Sequence, residues 1–468
     1  MSSALHVRAY MAIVLGFLIG LPQSASAQIK LPNLFPFPNA HGISQTENTN
    51  GNGQIDFGNA FFQSLGTNGR SCSSCHLPDQ GWSISSSSVA LRFLLTAGLD
   101  PIFRTVDGSV CDHGVNTSTV SGRQQAYKLL IERGLIRIGI AVPAGAEFDV
   151  VGVNNPYGCN ETDTISTYRR PLPSTNLKFL SAVMWDGRES NPPDTQKIAV
   201  PADLIADLGH QAQDATSGHA QGAVPLTTAQ MNAIVNFETG LYTAQGTDFA
   251  AGVLSANGAT GGPTALAGQQ FFIGINDPLG LNPTNAPFTS VIFTLFNSWT
   301  NSQTFLVGPA RASIARGQAL FNNRSINITG VAGLNDATGQ AVIQGSCGTC
   351  HSSPNAGDHS VAAALNIGVA DLSNSLGVQY LPVVTLKNKT TGQIVQTTDP
   401  GRALISGKWA DIGKVKGPVL RGLAARAPYF HNGSAGSLAD VVDFYDTRFA
   451  IGFTAREKAD LVAFLNAL

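Results

Sequence analysis

The chain has 468 residues, only 12% of them charged, and 28 Lys and Arg against 30 Asp and Glu leave a net charge of −2. No basic cluster exists to displace counterions from phosphate, which excludes nucleic acid as a partner. A hydrophobic content of 43% with little net charge excludes disorder, and the length suits two domains with full cores.

Residues 1–27 read as a secretory signal, with His6 and Arg8 ahead of the apolar run "MAIVLGFLIGL" and the small residues Ala25 to Ala27 before Gln28. That run is too short for a bilayer, which needs about 20 apolar residues, and no later stretch comes closer. The reading is an exported chain without a membrane span, placed in the periplasm. A Pro/Asn-rich lead, "LPNLFPFPNAHG", follows. "NTNGNGQID" (48–56) has the oxygen-bearing alternation of a calcium loop, but Asn59 stands where the closing Glu belongs, so a plain turn is favoured.

"RSCSSCH" (70–76) comes next. Residues 84–165 look like an inserted subdomain, with the amphipathic "SGRQQAYKLLIERGL" and the strand-like "EFDVVGV". This insertion holds Cys111 and Cys159, which pair most simply as a disulfide in an exported protein. "PLTTAQMNAIVNFETGL" starts with Thr227 and Gln230 spaced as a helix capping box; "GFTAREKADLVAFLNAL" does so with Thr454 and Glu457. Between these helices, the Gly/Ala/Thr-rich stretch 251–268 and "NDPLGLNPTNAP" separate two halves. The expected fold is mainly α: a first unit at 40–250 containing the insertion, a linker at 251–305, and a second unit at 306–468.

"GSCGTCH" (345–351) repeats the Cys-x-x-Cys-His frame 275 residues after its first appearance. That pentapeptide is the attachment site of c-type haem: two thiols add to the porphyrin vinyl groups, and the adjacent His reaches the iron. A redox dithiol would need a thioredoxin-like context, and the separation suits two independent sites better than one zinc. Two covalent haems are therefore expected, on Cys72, Cys75 and His76 and on Cys347, Cys350 and His351. The four methionines are Met1, Met11, Met184 and Met231, none in the C-terminal half. The sixth ligand of the second haem is then sought among His359, His431, Tyr380, Tyr429 and Tyr445.

"RRPLPSTNLKFLSAVMWDGRES" (169–190) and "KGPVLRGLAARAPYFHNGSAGSLADVVDFY" (416–445) resemble blocks of the bacterial di-haem cytochrome c peroxidase and MauG superfamily. The resemblance covers both haem motifs, the Trp-Asp-Gly-Arg block and the C-terminal hundred residues, and leaves out 84–165. It implies two cytochrome c-like haem domains with irregular loops. It implies that Trp185 lies on the electron path between haems, that Tyr445 takes the MauG-type position of second-haem ligand, and that Gln211 is the distal Gln. The family's acid/base Glu is missing: Gln221 stands in its place, with His219 two residues before it. An imidazole there would move a peroxide proton equally well, so His219 is the candidate, with His210 behind it. No His occurs between His76 and His113, so the first haem is expected open unless His113 reaches it. The family's interdomain calcium is left open, because "RRPLP" lacks the Asn expected after the Arg.

The implied activity is peroxide reduction at the first haem, with hydrogen peroxide and a small electron-donor protein (cytochrome c or cupredoxin) as partners. The alternatives are MauG-like oxidation of a partner protein's residues and plain electron transfer by two six-coordinate haems. A further alternative is oxygenase action on an organic substrate.

Overall fold

The computed structural model describes residues 29–190, 201–280, 282, 284–302 and 305–468. The expected signal segment, 1–27, lies outside them. The fold is mixed: among the described residues 31% are helical and 17% are in strands or bridges, and the strands form five sheets. The expectation of a mainly α chain is thereby corrected. Its failure has a physical cause in strands such as Gly42–Asn48, which alternates regularly but buries Ser44, Thr46 and Asn48 on its inward face. Polar residues on the buried face erase the hydrophobic alternation by which strands are read. The hydroxyls of Thr46 and Thr243 meet at 2.8 Å across the pair this strand makes with Leu241–Asp248.

Capping sets the helix starts. Thr227 and Gln230 exchange hydrogen bonds at the head of Thr228–Gly240, and Thr454 and Glu457 do the same for Ala455–Asn466. The latter helix packs Leu461, Phe464 and Leu465 against Ile314 and Phe321 of Gly308–Asn323. Gly317 permits that approach, since a Cβ there would lie 2.0 Å from the Asp460 carbonyl oxygen. "SGRQQAYKLLIERGL" forms two short helices, Val120–Ala126 and Lys128–Arg133, and "NTNGNGQID" is a turn leading into a short strand. Cys111 and Cys159 are joined in a disulfide, with Cα atoms 5.8 Å apart. Among the described residues no helix is long and apolar enough to cross a membrane.

Segment 84–165 is tied to distant parts of the chain. Its strand Phe148–Asn154 pairs antiparallel with Val383–Asn388, which in turn pairs with Ile394–Thr397. Where Thr164–Arg169 ends, Arg169 is fully buried between two carboxylates. Its Nε and Nη2 donate to Asp399 at 2.7 and 2.9 Å, and its Nη1 donates to Asp186. Both acids are held below the ordinary carboxylate range, because Arg169 outweighs the burial that acts to raise them. Removing one partner of a buried ion network strands the others. Arg169→Ala is expected to lower unfolding free energy by about 3–5 kcal/mol, read as a shift in the urea midpoint of the purified protein; an unmoved midpoint would refute the anchoring role.

Candidate active site: two cavities on the repeated pentapeptide

Both pentapeptides fold alike. Cys72–Ser74 and Cys347–Thr349 are single 3-10 turns, and in each the His N–H donates to the carbonyl of the first Cys at 3.0 Å. The residue before each turn donates its N–H to a hydroxyl three residues on, Ser71 to Ser74 at 3.1 Å and Ser346 to Thr349 at 3.0 Å. This geometry sets two thiols and an imidazole on the wall of one cavity: Cys72, Cys75 and His76 on the first, Cys347, Cys350 and His351 on the second.

Each imidazole is oriented from behind. His76 Nδ1 lies 3.0 Å from the Trp82 carbonyl oxygen and His351 Nδ1 lies 2.6 Å from that of Gly357, six residues downstream in both cases. A carbonyl accepts only, so Nδ1 carries the proton and Nε2 keeps its lone pair. Burial pushes both imidazoles down to about 4, which keeps them neutral. A neutral His held by its second nitrogen is a well-prepared metal ligand.

The two cavities share a wall formed by Arg170, Pro171, Trp185, Lys416 and Pro418. Trp185 Nε1 donates to the Arg170 carbonyl at 2.8 Å, and its ring meets His431 edge-on at 6.0 Å. Arg170, Lys416 and Arg426 are buried here without a salt-bridge partner among the described residues, and donate only to carbonyl oxygens such as Ala182 O, 2.7 Å from Lys416 Nζ. Burial pushes Arg170 down to about 9, Arg426 to about 10 and Lys416 to about 8. Paired thiols, a prepared imidazole and unpaired buried cations together fit a haem, whose propionates are anionic.

The helix Pro201–Gly218 lines the first cavity with Leu208, Gln211, Ala212, Ala215 and Thr216 on one face, and His219 follows just past its end. Gln211 and His219 therefore share a cavity with His76, as does Trp185. His219 Nδ1 lies 2.5 Å from Asp107, whose other oxygen accepts from Arg70 at 2.5 Å. His210 turns instead to Glu189, 2.6 Å away, and His113 sits at the surface with Asp112 and Glu161. Among the described residues, neither of these lines the cavity.

Of the five candidates for the second iron, Tyr429, His431 and Tyr445 line the second cavity, whereas His359 and Tyr380 do not. The Tyr429 hydroxyl is engaged with the Leu423 carbonyl at 3.0 Å. The Tyr445 hydroxyl has no hydrogen-bond partner among the described residues; its ring stacks on Phe449 at 6.3 Å. No methionine lines this cavity, while Met184 lines the first.

Two cavity residues escaped the sequence reading. Asp107 lies in the insertion with no motif around it. Glu238, on the inner face of Thr228–Gly240, is buried on the first cavity and pushed up to about 7 by burial, partly countered by a Ser174 hydrogen bond. The helical period could have flagged it as a lone acid on an apolar face.

No family model matches the chain. Over 136 residues it is 35% identical to the cytochrome-c peroxidase IdrP2 of Denitromonas iodatirespirans, covering 27% of this chain and 36% of that one. Over 69 residues it is 44% identical to the cytochrome-c peroxidase IdrP1 of Pseudomonas sp. (strain SCT), covering 12% and 18% respectively. The resemblance to the di-haem cytochrome c peroxidases holds. The chain spans little more than a third of the first of these relatives and under a fifth of the second. A crystal structure of a MauG-like protein associated with microbial copper homeostasis aligns over 96% of this chain and 95% of its own at 16% identity. Its TM-score of 0.36 is too low to carry a statement about fold.

Glu238 provides a pH signature. Its folded-state value lies above the ordinary 4.5, so the stability it contributes is complete below about 4.5 and is lost as pH rises through about 7. Glu238→Gln removes the ionisable group, so the variant is expected to match wild type near pH 4 and exceed it by up to about 3 kcal/mol at pH 8. Urea titrations at the two pH values check this; an equal difference at both would refute it.

Proposed function

We propose that the chain is an exported, periplasmic di-haem c-type peroxidase that reduces hydrogen peroxide at its first haem. That haem is held by Cys72, Cys75 and His76. Cys347, Cys350 and His351 hold the second, and Trp185 carries electrons between them. The two haem-bearing units are 40–250 and 306–468, joined by 251–305. The observation that carries the reading is the unlikeness of two cavities built on the same turn. Among the described residues, Gln211 and His219 line the first cavity together with His76, whereas Tyr429, His431 and Tyr445 line the second.

When bound, the first haem supplies an iron at which peroxide takes up two electrons and two protons to give two waters. With Nδ1 held by Asp107, His219 has Nε2 to accept a proton from the nearer peroxide oxygen and return it to the departing one. Gln211, eight residues earlier and lining the same cavity, offers a donor and an acceptor to hold the peroxide in line. Trp185, on the wall common to both cavities and buttressed by the Arg170 carbonyl, gives electrons a short aromatic route. A small cytochrome c or cupredoxin is the proposed electron donor.

A second reading is favoured by one observation. With Tyr445 on the second cavity and no methionine there, the second iron is assigned a phenolate, which stabilises higher oxidation states. That suits a stored two-electron oxidation directed at residues of a partner protein, as in MauG-like enzymes.

His219→Ala is expected to slow peroxide consumption by roughly 10²- to 10⁴-fold with both haems still attached, measured by stopped-flow; full activity removes His219 from the chemistry. Tyr445→Phe is expected to change the optical and electron paramagnetic resonance signals of the second haem alone. An unchanged spectrum transfers the ligand assignment to His431.

A further inference from the structure

Segment 84–165 is outside the family resemblance, yet part of it reaches the first cavity. Asp107 lines that cavity and is 4% exposed, although it belongs to the segment that contains Cys111 and helix Val120–Ala126. Its carboxylate has two side-chain partners. Oδ2 lies 2.5 Å from His219 Nδ1, and Oδ1 accepts from Arg70 Nη1 at 2.5 Å.

The surroundings fix this carboxylate firmly. The Asp107 carbonyl accepts from Arg137 N at 2.7 Å, and the Arg137 side chain donates to the Val106 carbonyl at 3.0 Å. Next to it, Gly108 has no room for a side chain: a Cβ would lie 2.8 Å from the Arg104 carbonyl oxygen. Arg70, two residues before Cys72, donates to the carbonyls of Pro101, Ile102 and His219 as well as to Asp107. Its donors are thereby committed to the protein, and it acts as a brace joining the haem turn, the inserted segment and the end of the distal helix. Asn68 adds a bond to the His219 carbonyl at 2.8 Å.

We infer that Asp107 is the positioning residue of the distal site: it holds His219 in the tautomer with the proton on Nδ1, so that Nε2 faces substrate as a base. The inserted segment thus supplies an essential part of the peroxide site and is no mere decoration of it. This deepens the proposed peroxidase and rests on His219 being its proton-transfer group. A carboxylate accepts only, so its contact to Nδ1 allows one neutral tautomer. An amide in its place could instead donate to Nδ1 and stabilise the opposite one. Partners of this kind, one shell out from the reacting group, typically change activity by about 10- to 100-fold when removed.

The test uses the purified di-haem protein and two ligands, hydrogen peroxide and cyanide. Hydrogen cyanide must give up its proton on binding ferric iron, so its association rate reports the distal base without turnover. Asp107→Asn is expected to slow both peroxide reaction and cyanide association by about 10- to 100-fold, and Asp107→Glu, which restores a carboxylate, to recover part of the loss. Placed in a His219→Ala background, Asp107→Asn is expected to have no further effect on either rate, because it acts only through the imidazole. If His219→Ala slows both ligands and Asp107→Asn slows neither, the positioning role is overturned while the peroxidase reading stands. If His219→Ala slows neither, both are overturned. Should Asp107→Asn fail to fold, nitrogen-15 histidine resonances of the reduced, carbon-monoxide-bound wild type decide the matter. The proton on Nδ1 of His219 supports the inference and the proton on Nε2 overturns it.

Discussion

Buried positive charge with no ion-paired carboxylate among the described residues is the constraint around which this molecule is built. Arg170, Lys416 and Arg426 border the two cavities and donate to carbonyl oxygens alone. Desolvating such groups is costly, and carbonyl dipoles compensate only part of the loss. Arg169, a neighbour in sequence, shows the ordinary solution, with its guanidinium fully paired to Asp186 and Asp399. The contrast between adjacent arginines is informative. One is satisfied by the chain, and the other is left for a group that the chain encloses. The propionates of the proposed haems would resolve the imbalance, and folding and cofactor attachment would then be mutually dependent.

The same economy explains how one local motif serves two purposes. The turn, the cysteine pair and the carbonyl behind each imidazole recur in both, so that side of each site is generic. Difference enters from the opposite wall. A helix face carrying Gln211 and Thr216 among small apolar residues, followed by His219, lines the first cavity, whereas Leu438, Val441, Val442 and Tyr445 line the second from helix Leu438–Phe449. On the proposed di-haem reading, chemistry would be decided by the wall that faces each imidazole, and electron exchange by the Trp185 wall that the two cavities have in common.

Legibility in the sequence follows the range of the interaction. The pentapeptides, the two capping boxes and the Cys111–Cys159 pair are local or forced by residue count, and all could be read. Tyr445 could be narrowed to a short set, since only folding separates it from Tyr380, whose hydroxyl is bound to the Asn432 carbonyl 3.0 Å away. The strands could not be read where their buried faces are polar, as at Ser44, Thr46 and Asn48. Asp107 was invisible for a different reason: it meets His219 across 112 positions, and nothing near either residue announces the other. His210, the second candidate for the distal group, is directed by the helix toward Glu189 and does not line the first cavity.

That long-range pairing bears on how the inserted segment relates to both sites. Asp107 and Arg137 anchor it at the first cavity. Farther along, Arg133 donates to the Gly433 carbonyl at 3.2 Å and covers the Tyr380 ring at 4.3 Å, two residues from His431 on the second cavity. Its strand Phe148–Asn154 then completes a sheet with Val383–Asn388. A segment fastened at three such places cannot shift at one without strain at the others, because packed interiors do not deform continuously. The loop that carries His431 and the carboxylate that meets His219 are therefore both held by this one segment. In the proposed di-haem enzyme, a change at the second haem would have, through that segment, a material route to His219 at the first.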